Sequence, residues 1–143
     1  MFEKIEIPKP TLEESLELAT HIGQLALEKK AEDVRVLNVH NLTSITDVFV
    51  ICSASSDVQV KAIADHILDE MSPYERPWHK EGYESREWIL LDYVNVVVHI
   101  FHDSARKYYN LERLWADAEV IVLEDTDGPE DGLPESEKPL FDE

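Results

Sequence analysis

WILLDYVNVVVHIFHDSARKYYNLERLW, running from Trp88 to Trp115, is the stretch that decides the fold. Trp88 to Leu91 and Val96 to Phe101 are almost entirely apolar and rich in β-branched residues, so both runs read as strands buried on at least one face. Asp92, Tyr93, Val94 and Asn95 join them, which is a hairpin-length connection. Beyond the hairpin, Tyr108, Leu111, Leu114 and Trp115 recur at helical spacing. That leaves Arg106, Lys107, Glu112 and Arg113 for the opposite side, so a short amphipathic helix is predicted to follow.

Working outward, the upstream half alternates α and β patterns. Thr11 and Glu14 form a capping-box signature, and Leu12, Leu16, Ala19, Ile22 or Gly23, and Ala26 make the buried stripe of a first helix reaching about Lys30. Asp33 to Val39 alternates as a half-buried strand. Asp47 to Cys52 is nearly all apolar and suits a central strand covered on both faces. Ser56 and Gln59 offer a second capping box, and Val60, Ile63, Ala64, Ile67, Leu68 and Met71 continue at helical spacing until Pro73 bars extension. The surroundings of Trp78 read as a short strand before a turn at Glu81-Gly82. Strand-helix-strand order with a late hairpin predicts a mixed sheet with flanking helices, an α/β domain.

The chain has 143 residues, enough for one domain with a real core, and a formal charge of −18. Residues 1–123 are predicted to form that domain. From Glu124 to Glu143 nine acidic residues stand against Lys138 alone, interspersed with Pro and Gly, so residues 124–143 read as a disordered acidic tail. This charge argues against sequence-specific nucleic-acid binding, which draws on clustered Lys and Arg, and favours a basic protein surface as partner. One cysteine, Cys52, sits in an apolar run and reads as a buried structural thiol in a reducing compartment. No run approaches the ~20 apolar residues of a membrane span, and the N-terminus has neither a signal-peptide nor a transit-peptide pattern, so a cytoplasmic location is expected.

Several patterns resemble chemistry without supplying it. The loop Ser53-Ala54-Ser55 enters a helix, a place where backbone N–H groups bind anions, yet it lacks the Gly-rich spacing and Lys of a phosphate loop, and simple capping is the better account. No paired carboxylates follow a Gly-Ser loop, so no Mg²⁺-nucleotide centre is predicted. His99 and His102 are three apart on or just past a strand, which sends them to opposite faces, and neither has a Cys nearby. No metal site, cofactor or catalytic residue is therefore expected.

The Trp88 block resembles the Iojap-like ribosomal silencing factor family, whose pattern runs W-[IV]-[LV]-[LV]-D-[YFL]-G-D-V-[IV]-V-H-[IV], then Y-x-L-E-x-L-W. Trp88, Asp92, Val96, Val98, His99, Tyr109, Leu111, Glu112, Leu114 and Trp115 fall in register with it. Ile45-Thr46-Asp47-Val48-Phe49-Val50-Ile51 resembles the family's S-I-T-D-x-[FM]-[VI]-I. Ser55-Ser56, Val60, Ile63-Ala64-Asp65 and Glu81-Gly82 continue the match, which covers roughly residues 12–117. The resemblance implies a five-stranded sheet of nucleotidyltransferase-like architecture. It also implies a factor that binds the large ribosomal subunit through its fourteenth ribosomal protein, keeps the small subunit from joining, and represses translation under nutrient limitation. Some members pair as homodimers. The tryptophan matching Trp88 and the tyrosine matching Tyr109 belong to that family's docking surface, which makes these two the candidate anchors. Asp92 and His99 join them as candidate partner-binding residues, with His99 expected to be oriented by Asp92. The alternative is a small nucleotide-binding transferase on the same fold. In two places the chain departs from the family. Val94-Asn95 stands where Gly-Asp is usual, and Val94 adopts a left-handed conformation only at a cost, so a different turn is expected. Ala54 replaces a common Gly.

Overall fold

Thr11 and Glu14 start the first helix reciprocally: Glu14 N donates to Thr11 Oγ1 at 3.0 Å and Thr11 N donates to Glu14 Oε1 at 2.8 Å. The helix α1 spans Leu12–Glu28 and buries Ala19, Ile22, Gly23 and Ala26, as its spacing predicts. This computed structural model describes residues 9–124. Residues 1–8 and, apart from Glu124, the acidic tail lie outside the described residues.

The other elements are β1 (Glu32–Asn38), β2 (Val48–Ala54), α2 (Asp57–Met71), β3 (His79–Glu81), β4 (Trp88–Asp92), β5 (Val96–His102), α3 (Asp103–Tyr109), α4 (Leu111–Leu114) and β6 (Glu119–Leu123). The sheet is mixed, in the order β3-β4-β5-β2-β1-β6. β2 and β5 run parallel, and every other neighbouring pair is antiparallel. Every residue of β2 is buried, which accounts for its unbroken apolar run at the middle of the sheet.

Among the described residues there are six strands where the family resemblance implied five. The sixth is Glu119–Leu123. Ala118 N donates to Trp115 O at 3.0 Å, reversing the chain so that β6 lies along β1. Gly23 lets it seat: a Cβ on that residue would collide with the Leu123 side chain, which packs on the α1 face.

Two apolar clusters sandwich the sheet. The larger lies between the sheet and α1 and α2, with Val36, Val50, Val98 and Ile100 facing Ile22, Ile63 and Ile67. The smaller, Leu37, Phe49, Ile51, Val97, Phe101 and Ala105, lies on the opposite face, with Trp88, Leu90, Leu111 and Trp115 half-buried against it. Among the described residues only the short α3 and α4 supply helical cover there. Period-2 alternation thus puts Trp88, Leu90 and Asp92 on the thinly covered face and Ile89 and Leu91 in the main core.

Local geometry corrects three expectations. The second capping box is only half formed. Ser56 Oγ accepts from Gln59 N at 3.1 Å, but the Gln59 side chain reaches across to the carbonyl of Lys29 instead of back to Ser56. The helix after the hairpin is broken: Asn110, at φ 47° and ψ 58°, ends α3 and begins α4 in the left-handed region. That kink resets the helical phase, so Leu111 and Trp115 turn inward while Tyr108 and Leu114 stay 81 % and 73 % exposed. Arg106, expected on the solvent side, is buried. Lastly, the residue of the β4–β5 turn that takes positive φ is Val94, at 75°. Asn95 N donates to Tyr93 O at 2.9 Å across it, the pattern of a γ-turn, and Asp92 Oδ1 accepts from Val94 N at 2.8 Å. A β-branched residue there is strained.

Candidate partner-binding surface

Trp88 opens β4, and the pairing register sets it opposite Phe101 on β5, two residues beyond His99 on the same face. The indole is half-buried, with its ring centroid 4.9 Å from that of Phe101 and 4.9 Å from that of Tyr109. Tyr109 ends α3 and is 48 % exposed. Tyr108 makes an edge contact with it at 5.0 Å. Leu114 and Arg113 close a shallow depression beside these tyrosines with Lys107 and Asn110. A partly open aromatic shelf results, with large rigid rings of the kind that dominate binding hot spots.

His99 lies beneath this shelf, 5 % exposed. Trp88 Nε1 donates to His99 Nδ1 at 3.1 Å. An indole N–H can only donate, so Nδ1 must accept and the imidazole proton resides on Nε2. Phe49 approaches the ring edge-on at 4.8 Å, and Trp115 stands against Phe49 at 5.3 Å. Burial in this apolar setting lowers the His99 pKa to about 3, so the ring is neutral at physiological pH. His99 Nε2 has no hydrogen-bond partner among the described residues.

Two expectations about the site change here. His99 is buried beneath the surface, and the group that orients it is Trp88, not Asp92. Asp92 is committed to capping the γ-turn. It shares the face of Trp88 but lies at the other end of β4, ~13 Å away at strand rise. The structure therefore brings Trp88, His99 and Tyr109 together and leaves Asp92 apart. Phe49, Phe101 and Trp115 also shape the shelf, and the alternation of their strands was the signal that could have placed the first two beside Trp88.

Arg106 holds the tyrosine-bearing helix in place. Its Nε and Nη2 donate to Glu112 Oε2 at 3.1 and 2.5 Å, and Nη1 donates to Asp33 O at 2.8 Å and Ser53 Oγ at 3.1 Å. One guanidinium thus ties α3 to α4, β1 and β2, using the planar fork that a lysine lacks. It meets β1 where Asp33 sits at φ 49° and the register shifts.

Cys52 and Asp47 have structural surroundings. The Cys52 thiol is fully buried and pushed up to about 12, away from nucleophilic character. Asp47 stands between Ser15 and His40, accepting from Ser15 Oγ at 3.1 Å and contacting His40 Nδ1 at 2.9 Å. That order differs from a hydrolytic triad, in which the histidine must lie between serine and acid. Among the described residues no group of three or more His, Cys, Asp or Glu is arranged to hold a metal. No described helix is long and apolar enough to cross a membrane.

The fold and this surface define a mixed α/β domain with partly exposed aromatic side chains gathered on one face of its sheet. The chain belongs to the family described as ribosomal silencing factor during starvation, which it matches over residues 12–140. It is 46 % identical over 99 residues to Ribosomal silencing factor RsfS of Halalkalibacterium halodurans, covering 68 % of this chain and 84 % of that one. To the protein of the same name from Bacillus subtilis it is 42 % identical, covering 68 % and 83 %. The chloroplastic Protein Iojap of Zea mays is 36 % identical, covering 81 % of this chain and 53 % of that longer one. Among solved structures, a Chromobacterium violaceum protein superposes with a TM-score of 0.67 at 30 % identity, covering 75 % and 88 %. A Bacillus halodurans protein gives 0.64 at 38 %, covering 78 % and 99 %.

Proposed function

We propose that this chain docks through the Trp88–Tyr109 shelf onto the large ribosomal subunit, at its fourteenth ribosomal protein, and sterically prevents the small subunit from joining. Family membership supports a ribosomal role. The observation that carries the reading to this surface is the open aromatic face, where the Trp88 and Tyr109 rings meet at a tilt beside exposed Tyr108 and Leu114. The mechanism needs occupancy and no bond chemistry. A standard-size interface with a few aromatic anchors reaches roughly nanomolar to micromolar affinity, enough to compete for a subunit surface.

In this reading Trp88 and Tyr109 are the anchors, His99 holds the indole from below, and Arg106 fixes the angle of the tyrosine helix. Asp92 acts through the hairpin turn. The protein works where ribosomes assemble, in the cytoplasm, as a repressor under nutrient limitation and not as an enzyme. Two copies pairing through the same shelf would compete with docking. Gradient sedimentation with purified subunits tests the proposal: the chain should travel with the large subunit and reduce its association with the small one. Migration with the small subunit alone, or no effect on joining, refutes it.

A further inference from the structure

The two edges of the sheet are built differently. At one, β3 is three residues long, and its His79, Lys80 and Glu81 are all exposed. Short, charged edge strands are poor templates for pairing. At the other, β6 is a five-residue strand whose Val120, Ile121 and Val122 are 45 %, 46 % and 52 % exposed. β1 pairs with one side of β6 in unbroken register, and no described residue pairs with the other. The strand interior holds no Lys, no Pro and no bulge, the devices that ordinarily blunt an edge.

The surrounding charge selects what can pair there. Glu119 and Glu124 bracket the apolar run. Glu119 is held at the start of the strand by Asn38 Nδ2, which donates to its Oε1 at 3.2 Å. A second copy laid antiparallel would bring the Glu119 end of one chain against the Glu124 end of the other, and facing like charges destabilise strand pairs. An extended segment carrying Lys or Arg at its ends meets attraction instead.

We propose that β6 is a strand-addition site for an extended, lysine- or arginine-bearing segment of a partner protein. Backbone hydrogen bonds to the open side of β6 supply the pairing, Val120 and Val122 supply apolar contact on one face, and the flanking acids supply selectivity. The site stands apart from the aromatic shelf, so Tyr109→Ala leaves it intact.

The test uses the full chain and synthetic peptides of ~10 residues. One alternates Val and Thr with Lys at both ends, a second carries Glu at the ends, and a third is the Lys-ended peptide interrupted by Pro. Binding is followed by anisotropy, and amide exchange is measured across Val120–Leu123. The Lys-ended peptide should bind saturably, slow exchange at the outward amides of β6, and exceed the Glu-ended one ~10-fold or more at low salt, with the gap closing as salt rises. Val122→Lys, at an exposed position, should weaken it by a similar factor without lowering the melting temperature. Equal binding of the Pro-interrupted peptide overturns strand addition in favour of bare charge attraction. The proposal also fails if no peptide saturates, if outward amides are already slow in the dilute free chain because residues 125–143 occupy the edge, or if sedimentation shows a dimer that Val122→Lys abolishes.

Discussion

Tyr109→Ala is the variant that separates docking from folding on the aromatic shelf. Tyr109 is 48 % exposed, so truncation returns to water only the buried half of its ring, ~100 Å² at ~25 cal/mol per Å², less what relaxation and the unfolded chain recover. A loss of about 1–2 kcal/mol is expected, small enough for a domain of this size to stay folded. Trp88→Ala differs, because the indole is half-buried on Phe101 and its N–H satisfies His99 Nδ1. Truncating it should cost about 3 kcal/mol for packing and roughly another 1 kcal/mol for the orphaned buried nitrogen, so lost binding in that variant would be ambiguous. If Tyr109 is an anchor, its truncation removes ~2 kcal/mol or more of binding, a fall of ~30-fold in affinity for the large subunit. Urea denaturation and subunit co-sedimentation on the same preparations read the two effects separately. A folded Tyr109→Ala protein that still binds with unchanged affinity refutes the assignment of the shelf. One that unfolds at low denaturant shows that the ring is structural.

Other expectations follow from particular residues. Val94→Gly should raise stability by about 1 kcal/mol in urea melts, because Gly takes φ 75° without the clash that Val suffers, an effect only partly offset by unfolded-state entropy. His99 is lowered to about 3 in the folded chain against 6.5 unfolded, so between these values the unfolded state binds a proton that the folded state does not. Its contribution is therefore fully present above pH 6.5 and declines by ~1.4 kcal/mol per pH unit on acidification. Plotting stability against pH for the parent and His99→Phe should show that extra slope in the parent alone between pH 5.5 and 4.5. Arg106→Lys keeps the charge but cannot bridge Glu112, Asp33 and Ser53 at once, so chemical denaturation should show about 2–3 kcal/mol lost and Trp115 fluorescence should shift. An unchanged melt would mean that the fork contributes nothing beyond charge.

The elements of this protein follow from local patterns. The capping box at Thr11, the helical stripe from Val60 to Met71, the apolar run of β2 and the Trp88 hairpin all express periodicity and propensity, which are short-range properties of neighbouring residues. Those same patterns, together with order along the chain, sufficed for a mixed α/β sheet and its family. Where periodicity breaks, local reading loses its phase. The left-handed Asn110 split one expected helix in two, sending Arg106 inward and Leu114 outward. Strain at Val94 went against its residue preference because Asp92 and the closing strands hold the turn. The site itself depended on register. Only pairing of Trp88 with Phe101 and Leu90 with His99 puts the indole over the imidazole, and only the return of α3 sets Tyr109 against Trp88. Such contacts join residues far apart in the chain, and their energies appear when the sheet closes, so tertiary structure alone decided which aromatics stand partly exposed, which histidine is buried beneath them, and which edge strand has a neighbour on one side only among the described residues.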